Sequence, residues 1–236
     1  MFMSLAELKK KIRLFADRDI AETSKWFFKT GKGEYGEGDK FIGLNIPTQR
    51  KLAREFKDLT LADLAQLLKS PIHEERLISL FILVDKYSKA DEKTKDDIFK
   101  FYFRNRKGIN NWNLVDLSAP KILGKHLLKK DKTILFKFAL SKKLWERRIA
   151  ILSTLEFIRN GDFKTTLQLC KILLNDEHDL IHKAAGWMLR EIGKKDLESE
   201  EKFLKANYKK MPRTMLRYAI EKFSETKRKK YLQGKI

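Results

Sequence analysis

Residues 110–116, NNWNLVD, put an indole and a carboxylate four positions apart. On a helix that spacing brings Trp112 and Asp116 to one face, a turn from each other. Both groups favour a positive charge nearby, the carboxylate by direct attraction and the indole through its electron-rich face. The chain as a whole has the opposite preference: 52 lysines and arginines stand against 32 acidic residues, a formal charge of +20. Because these cations run through the whole length, they belong to the folded surface, and the partner they predict is a polyanion. A carboxylate set beside an aromatic ring on such a surface needs a purpose other than gripping that polyanion.

Other patterns with chemical potential are weaker. GKGEYG (31–36) matches the dinucleotide fingerprint in letters, but a helical stretch precedes it and EGDKFIGLNIP follows, so the required strand and helix are missing. It reads as a flexible loop whose backbone and Lys32 could touch phosphate. His178 and His182 stand one turn apart without the glutamate of HExxH or a third ligand, which predicts solvent-facing or helix-capping histidines and no metal. The single cysteine, Cys170, predicts a small buried hydrophobe and excludes a disulfide within the chain. No Ser/His/Asp or Cys/His triad can be nominated, and no cofactor is expected. The longest apolar run, LISLFILV (77–84), is too short to span a bilayer, and the N-terminus does not read as a signal peptide, so a cytoplasmic protein is expected, nucleoid-associated if bacterial.

The 236 residues, 42% of them hydrophobic, are enough for a continuous core. Apolar residues recur at spacings of three and four, as in LADLAQLLKS (61–70) and DFKTTLQLCKILL (162–174), and almost nowhere alternate. The expectation is an all-α chain. Pro47, Pro71 and Pro212 mark helix starts, and Pro120 ends or kinks the helix carrying Trp112 and Asp116. ERLISLFIL (75–83), RRIAILSTL (147–155), HKAAGWMLR (182–190) and LRYAIEKF (216–223) align on Arg76, Arg148, Lys183 and Arg217. Trp112 falls between the first two, so the series repeats every 34 to 36 residues. That period suits paired helices stacked as an α-α superhelix, a solenoid of HEAT-like repeats. It would be one domain, 1–236, with a basic tail from about residue 225 that reads as a frayed, solvated end. If each repeat turns its second helix inward, Arg76, Trp112, Arg148, Lys183 and Arg217 share a concave face. Leu80, Asp116, Leu152, Trp187 and Glu221 then lie beside them.

With FFKTGKGEYGEGDKFIGLNIPTQRKLA, NNWNLVD, LWERRIAIL and HKAAGWMLRE in this order, the chain resembles the AlkD-type DNA alkylation repair proteins, the HEAT-like alkylpurine DNA glycosylases. The resemblance runs over almost the whole length. It implies that Trp112 and Trp187 are the aromatic pair flanking the lesion nucleotide's sugar and backbone, that Asp116 is the catalytic carboxylate, and that Arg148 holds the backbone nearby. Asn45 and Arg50, in GLNIPTQR, resemble the loop-to-helix junction that approaches the duplex, and either Trp26 or Phe27 corresponds to the family's N-terminal aromatic contact. The implied activity is a monofunctional glycosylase acting as a monomer on double-stranded DNA containing alkylated purines, with the lesion left stacked and with neither metal nor cofactor. Arg76, Lys183 and Arg217 would neutralise phosphates. The alternative is a basic HEAT-like scaffold that binds nucleic acid without breaking a bond, and Asp116 argues against it, since a pure binder of polyanions gains nothing from a carboxylate on its cationic face. A third reading, a protein-binding scaffold, would need an exposed apolar groove in place of the cationic row.

Overall fold

The computed structural model describes residues 4–236, which are all-helical; among them no strand forms, and one isolated bridge joins Lys40 and Ile72. The chain divides into two compact units, Met1–Ser118 and Ala119–Ile236. The first contains α1 (Leu5–Leu14), α2 (Arg18–Phe27), α3 (Ile46–Glu55), α4 (Leu61–Leu68), α5 (His73–Lys89), α6 (Glu92–Asn105) and α7 (Trp112–Ser118). Short polar side chains set the starts of these helices by accepting first-turn N–H groups that lack an intrahelical partner. Asp17 caps α2, Asn45 caps α3 with Pro47 in its first turn, Thr60 and Asp63 form a reciprocal capping box on α4, and Asp91 caps α6. Pro71 lies two residues before α5, just outside it, instead of in its first turn.

Helix α5 is the centre of this unit and packs against α3, α4, α6 and α7. Its Leu77, Ile78, Leu80, Ile82 and Leu83 are buried, as the apolar run LISLFILV requires. So too, unexpectedly, is its first turn, the four polar residues His73, Glu74, Glu75 and Arg76.

The second unit opens on a π-helical turn, Pro120–Gly124, followed by α8 (Lys125–Leu127), α9 (Thr133–Ala139), α10 (Leu144–Ser153), α11 (Leu155–Arg159), α12 (Lys164–Ile172), α13 (Asp179–Gly193), α14 (Leu197–Asn207), α15 (Arg213–Ala219) and α16 (Glu225–Gln233). Pro120 does end α7, as its missing N–H and ring demand, and the chain resumes in a wider turn closed by the Gly124 N–H on the Ala119 carbonyl (2.9 Å). Helix α13 packs against α10, α12, α14 and α15 through Ile181, Ala184, Ala185, Met188, Leu189 and Ile192, the three-and-four spacing of a helix with one buried face. Cys170 is fully buried against it, and burial pushes its thiol far above the ordinary range.

The expected frayed tail is instead a packed helix. Ser224 caps α16, Gly234 ends it in the left-handed conformation, and Tyr231 is inserted beside Tyr208 (ring centroids 5.5 Å) and Phe223 (5.8 Å). The charge run holds because one aromatic in it is buried while its lysines remain at the surface. The Tyr231 hydroxyl itself is buried without a partner. Tyr231→Ala should therefore cost about 3 kcal/mol of stability from lost burial and the cavity left behind, while Tyr231→Phe should be neutral or slightly stabilising. Urea denaturation of the two variants checks this; equal losses would contradict it.

Candidate active site

The turn before α7 is fixed before any side chain on α7 is placed. Asn111 is fully buried, its amide oxygen accepts the Trp112 N–H (2.8 Å), and its carbonyl accepts the Val115 N–H that starts the helix (3.1 Å). Leu114 and Val115 face the core, and Ser118 closes the last turn by donating to the Leu114 carbonyl (2.6 Å) and bonding the Tyr102 hydroxyl (2.9 Å). Trp112 and Asp116 are left half-buried on the same side of this helix. Burial, reinforced by the charge of Asp116, pushes the Tyr102 phenol well above its ordinary value.

The indole of Trp112 rests on an aromatic wall. Phe28 stacks on it at 5.4 Å, Phe27 meets it edge-on at 5.8 Å, and behind Phe28 lie Phe41 (5.1 Å) and the ring of His73 (5.0 Å). Between the two candidates for the N-terminal aromatic contact, Phe27 is the one beside Trp112. It is 52% exposed, whereas Trp26, 73% exposed, has Lys29 over its ring (5.5 Å).

Beneath the wall lies a polar core that helical periodicity does not predict. The Asp39 carboxylate is engaged by His73 Nδ1 (3.0 Å), an Arg76 terminal nitrogen (2.7 Å), Asn110 Nδ2 (3.2 Å) and Asn111 Nδ2 (3.3 Å). Burial opposes its ionisation, but hydrogen bonds and the charge of Arg76 outweigh that and hold its carboxyl below the usual range. Burial, with Arg76 beside it, lowers the affinity of His73 for a proton despite the carboxylate. Glu74, next in the chain, accepts the backbone N–H groups of Ile42 (3.1 Å), Gly43 (2.9 Å) and Leu44 (3.4 Å). Gly43 adopts φ +87°, and a side chain there would run into the Asp17 carbonyl.

Arg76 is thus not the open phosphate contact that the repeat alignment suggests. It is 3% exposed and spent on Asp39 and the Ser70 carbonyl (2.7 Å). Leu80 and Leu152, expected on the same face, are fully buried core residues. Arg148 is also buried, donating to the Leu180 carbonyl (2.5 Å) at the start of α13, so it braces that helix instead of standing open to a backbone. Helical periodicity carries no information about a partner distant in sequence.

The remaining cations and aromatics are more open. Arg50 is exposed and lies over the Phe81 ring (4.5 Å), and Asn45 is exposed while capping α3 through the Thr48 N–H (2.9 Å). In the second unit Lys183 pairs with Asp179 (2.5 Å), Trp187 is half-buried and donates from Nε1 to Glu191 (3.0 Å), and Arg217 is exposed without an ion pair among the described residues. Glu221 pairs with Arg190. His178 caps α13 by accepting the Leu180 N–H (3.1 Å), and His182 bonds the Asp176 carbonyl. Among the described residues no group of three or more His, Cys, Asp or Glu side chains is arranged to hold a metal, and no helix is long and apolar enough to cross a membrane.

The DNA alkylation repair enzyme family matches residues 8–223, nearly the whole chain. The chain belongs to that family. Its partner is therefore DNA. No curated protein matches it in sequence. Among solved structures, a predicted DNA alkylation repair enzyme from Enterococcus faecalis is similar over 89% of this chain and 97% of that one, with a TM-score of 0.69 and 16% identity, which establishes a shared helical fold.

The buried histidine sets a pH dependence for this family member. The unfolded chain takes up the His73 proton near pH 6.5, the native chain only at lower pH, so the unfolded state binds more protons in between. Stability should decline as the pH falls below about 6.5, and His73→Phe should flatten that decline between pH 7.5 and 5.5. Urea midpoints at the two pH values measure it; parallel losses in both proteins would contradict the assignment.

Proposed function

We propose that this family member is a monofunctional glycosylase that releases positively charged N3- and N7-alkylpurines from duplex DNA. The observation that carries the proposal is Asp116, a carboxylate one helical turn from the half-buried indole of Trp112 in a chain of charge +20. A cationic purine is already a good leaving group: the glycosidic bond breaks, its electron pair passes to the purine, and the ring's positive charge is neutralised. The sugar then carries the positive charge as an oxocarbenium ion. Water adds to its anomeric carbon and loses a proton, leaving an abasic site with a hydroxyl where the base had been.

A carboxylate aimed at the anomeric carbon stabilises that cation and orients the water. The face of Trp112 adds cation–π attraction and keeps out bulk water that would screen the charge. Neither effect helps to bind DNA in the ground state, where the nearby groups are phosphates. Both grow as the base departs, which is the condition for lowering a barrier.

Binding falls to other residues. Asn45 and Arg50 in the first unit, and Lys183, Trp187 and Arg217 in the second, are assigned contacts with the sugar–phosphate backbone. Arg148 supports them from beneath by fixing the start of α13, and Arg76 has no direct contact. Phosphate contacts of this kind give affinity that falls steeply with salt and carries little sequence information. Recognition is assigned to the lesion's charge with the base left stacked.

The test is incubation with duplex DNA containing N7-methylguanine and chromatography of the released base. Asp116→Asn should bind the duplex within a few-fold of the unaltered protein yet release base about a hundredfold more slowly, a loss of about 3 kcal/mol in transition-state stabilisation. Equal release rates would remove Asp116 from the chemistry, and no release by the unaltered protein would remove the activity.

A further inference from the structure

The glycine-rich segment 31–39 is held in part by its own carboxylates. The Gly31 N–H donates to Glu34 (2.7 Å) and the Gly33 N–H to Glu37 (2.8 Å), so the loop's own carboxylates occupy the groups that would cradle an anion. The loop is pressed against the back of the turn before α7: a side chain at Gly36 would meet the Phe28 carbonyl at 2.3 Å and the Asn111 amide at 3.4 Å. Two further backbone bonds, Lys40 N–H to the Pro71 carbonyl (3.0 Å) and His73 N–H to the Lys40 carbonyl (2.8 Å), fasten its end to the start of α5. The effect of all these contacts is to deliver one carboxylate, Asp39, to a fixed point.

A carboxylate offers about four lone-pair directions, and Asp39 receives four side-chain donors. Two come from α5 and two from Asn110 and Asn111, the residues immediately before Trp112. A third asparagine, Asn113, follows Trp112, and its Nδ2 lies 2.9 Å from His73 Nε2. An amide nitrogen can only donate and a carboxylate can only accept, so His73 carries its proton on Nδ1, donates to Asp39 and accepts from Asn113. Every asparagine flanking Trp112 is thereby tied to Asp39, directly or through one imidazole. The ring of Trp112 is held on the same support, because Phe28 stacks between it and Phe41, and Phe41 stacks on His73 (4.6 Å).

We propose that Asp39 and His73 are positioning residues for the Trp112–Asp116 turn: through Asn110, Asn111 and Asn113 they fix where the indole and the catalytic carboxylate stand. The inference rests on the proposed glycosylase reading for its effect on turnover, but its structural half does not. Misplacement by about 1 Å can cost on the order of a hundredfold in rate, so a support this specific matters even without touching substrate.

Two variants test it without removing a buried charge. His73→Phe keeps the stacked ring and loses both hydrogen bonds. Asn113→Ala loses only the last link; it leaves His73 Nε2 without its donor but also removes an amide oxygen that is buried without a partner, so the protein should still fold, which its urea midpoint checks. In protein labelled with 5-fluorotryptophan, with the Trp112 resonance assigned by Trp112→Phe, both variants should shift or broaden that resonance while Trp145 and Trp187 of the second unit stay in place. Release of N7-methylguanine should fall about tenfold in kcat with KM within about twofold. The double variant should be no worse than His73→Phe alone, because both break the same link. An unmoved Trp112 resonance, a moved one with unchanged kcat, or additive losses in the double variant would each overturn the proposal. If the unaltered protein releases no base, the glycosylase reading fails by itself and the fluorine resonance still decides whether Asp39 and His73 hold the turn.

Discussion

A buried carboxylate is tolerable only when its charge and lone pairs are answered, and Asp39 is where the first unit meets that constraint. Its donors come from α5 and from the turn that begins α7, so the condition that keeps Asp39 ionised also fixes the spacing between those elements. Remove the carboxylate and Arg76, 3% exposed, becomes a buried cation without its counter-ion, while Asn110 and Asn111 lose an acceptor. The burial of four consecutive polar residues at the start of α5 has its answers nearby: His73 and Arg76 serve Asp39, Glu74 serves the backbone of residues 42–44, and Glu75 pairs with Lys9 (3.8 Å). Packing of apolar side chains supplies most of the stability of such a unit, but the hydrophobic driving force is not itself directional. Hydrogen bonds to one carboxylate are.

In the proposed reading Asp39 and Asp116 have different tasks. Asp39 is answered by protein groups and holds structure. Asp116, on the half-buried face of α7, is assigned a charge that exists only while a base is leaving. The abundance of lysine and arginine makes this division intelligible. A protein of charge +20 attracts DNA without specific design, so under the proposed glycosylase reading selectivity between alkylated and ordinary purines would come from chemistry at the glycosidic bond. A cationic purine differs from a neutral one in how readily its bond breaks. In the proposed reading a carboxylate beside an indole acts on that difference, whereas phosphate contacts do not sense it.

Much of this was legible in the sequence. Three-and-four spacing and capping residues marked the helices, Pro120 marked the end of the helix bearing Trp112 and Asp116, and the spacing of those two residues placed them on one face. The alignment of Arg76 with Arg148 and Lys183 does not reveal that the two arginines are buried. Whether a cation at such a position meets solvent or a carboxylate depends on residues elsewhere, and Asp39 lies 37 positions before Arg76 in a loop without periodicity. A still longer separation hides the link from Asp39 to Asn111, 72 residues apart. One signal was available: HEER directly before the apolar run LISLFILV sets four polar residues at the mouth of a buried helix, where they need partners. The basic tail was misread for a related reason, since one aromatic, Tyr231, outweighs the charges around it once a pocket exists to receive it.

The central claim is that Asp116 answers a positive charge on the sugar. Its most direct test is binding, with no bond broken: affinity for duplex DNA bearing a cationic pyrrolidine in place of the damaged nucleotide's sugar, against the same duplex with neutral tetrahydrofuran. The unaltered protein should prefer the cationic duplex by about tenfold or more, the order of a well-placed charge interaction, and Asp116→Asn should lose that preference while binding the neutral duplex unchanged. Equal affinities for the two duplexes, or a preference that survives Asp116→Asn, would contradict it.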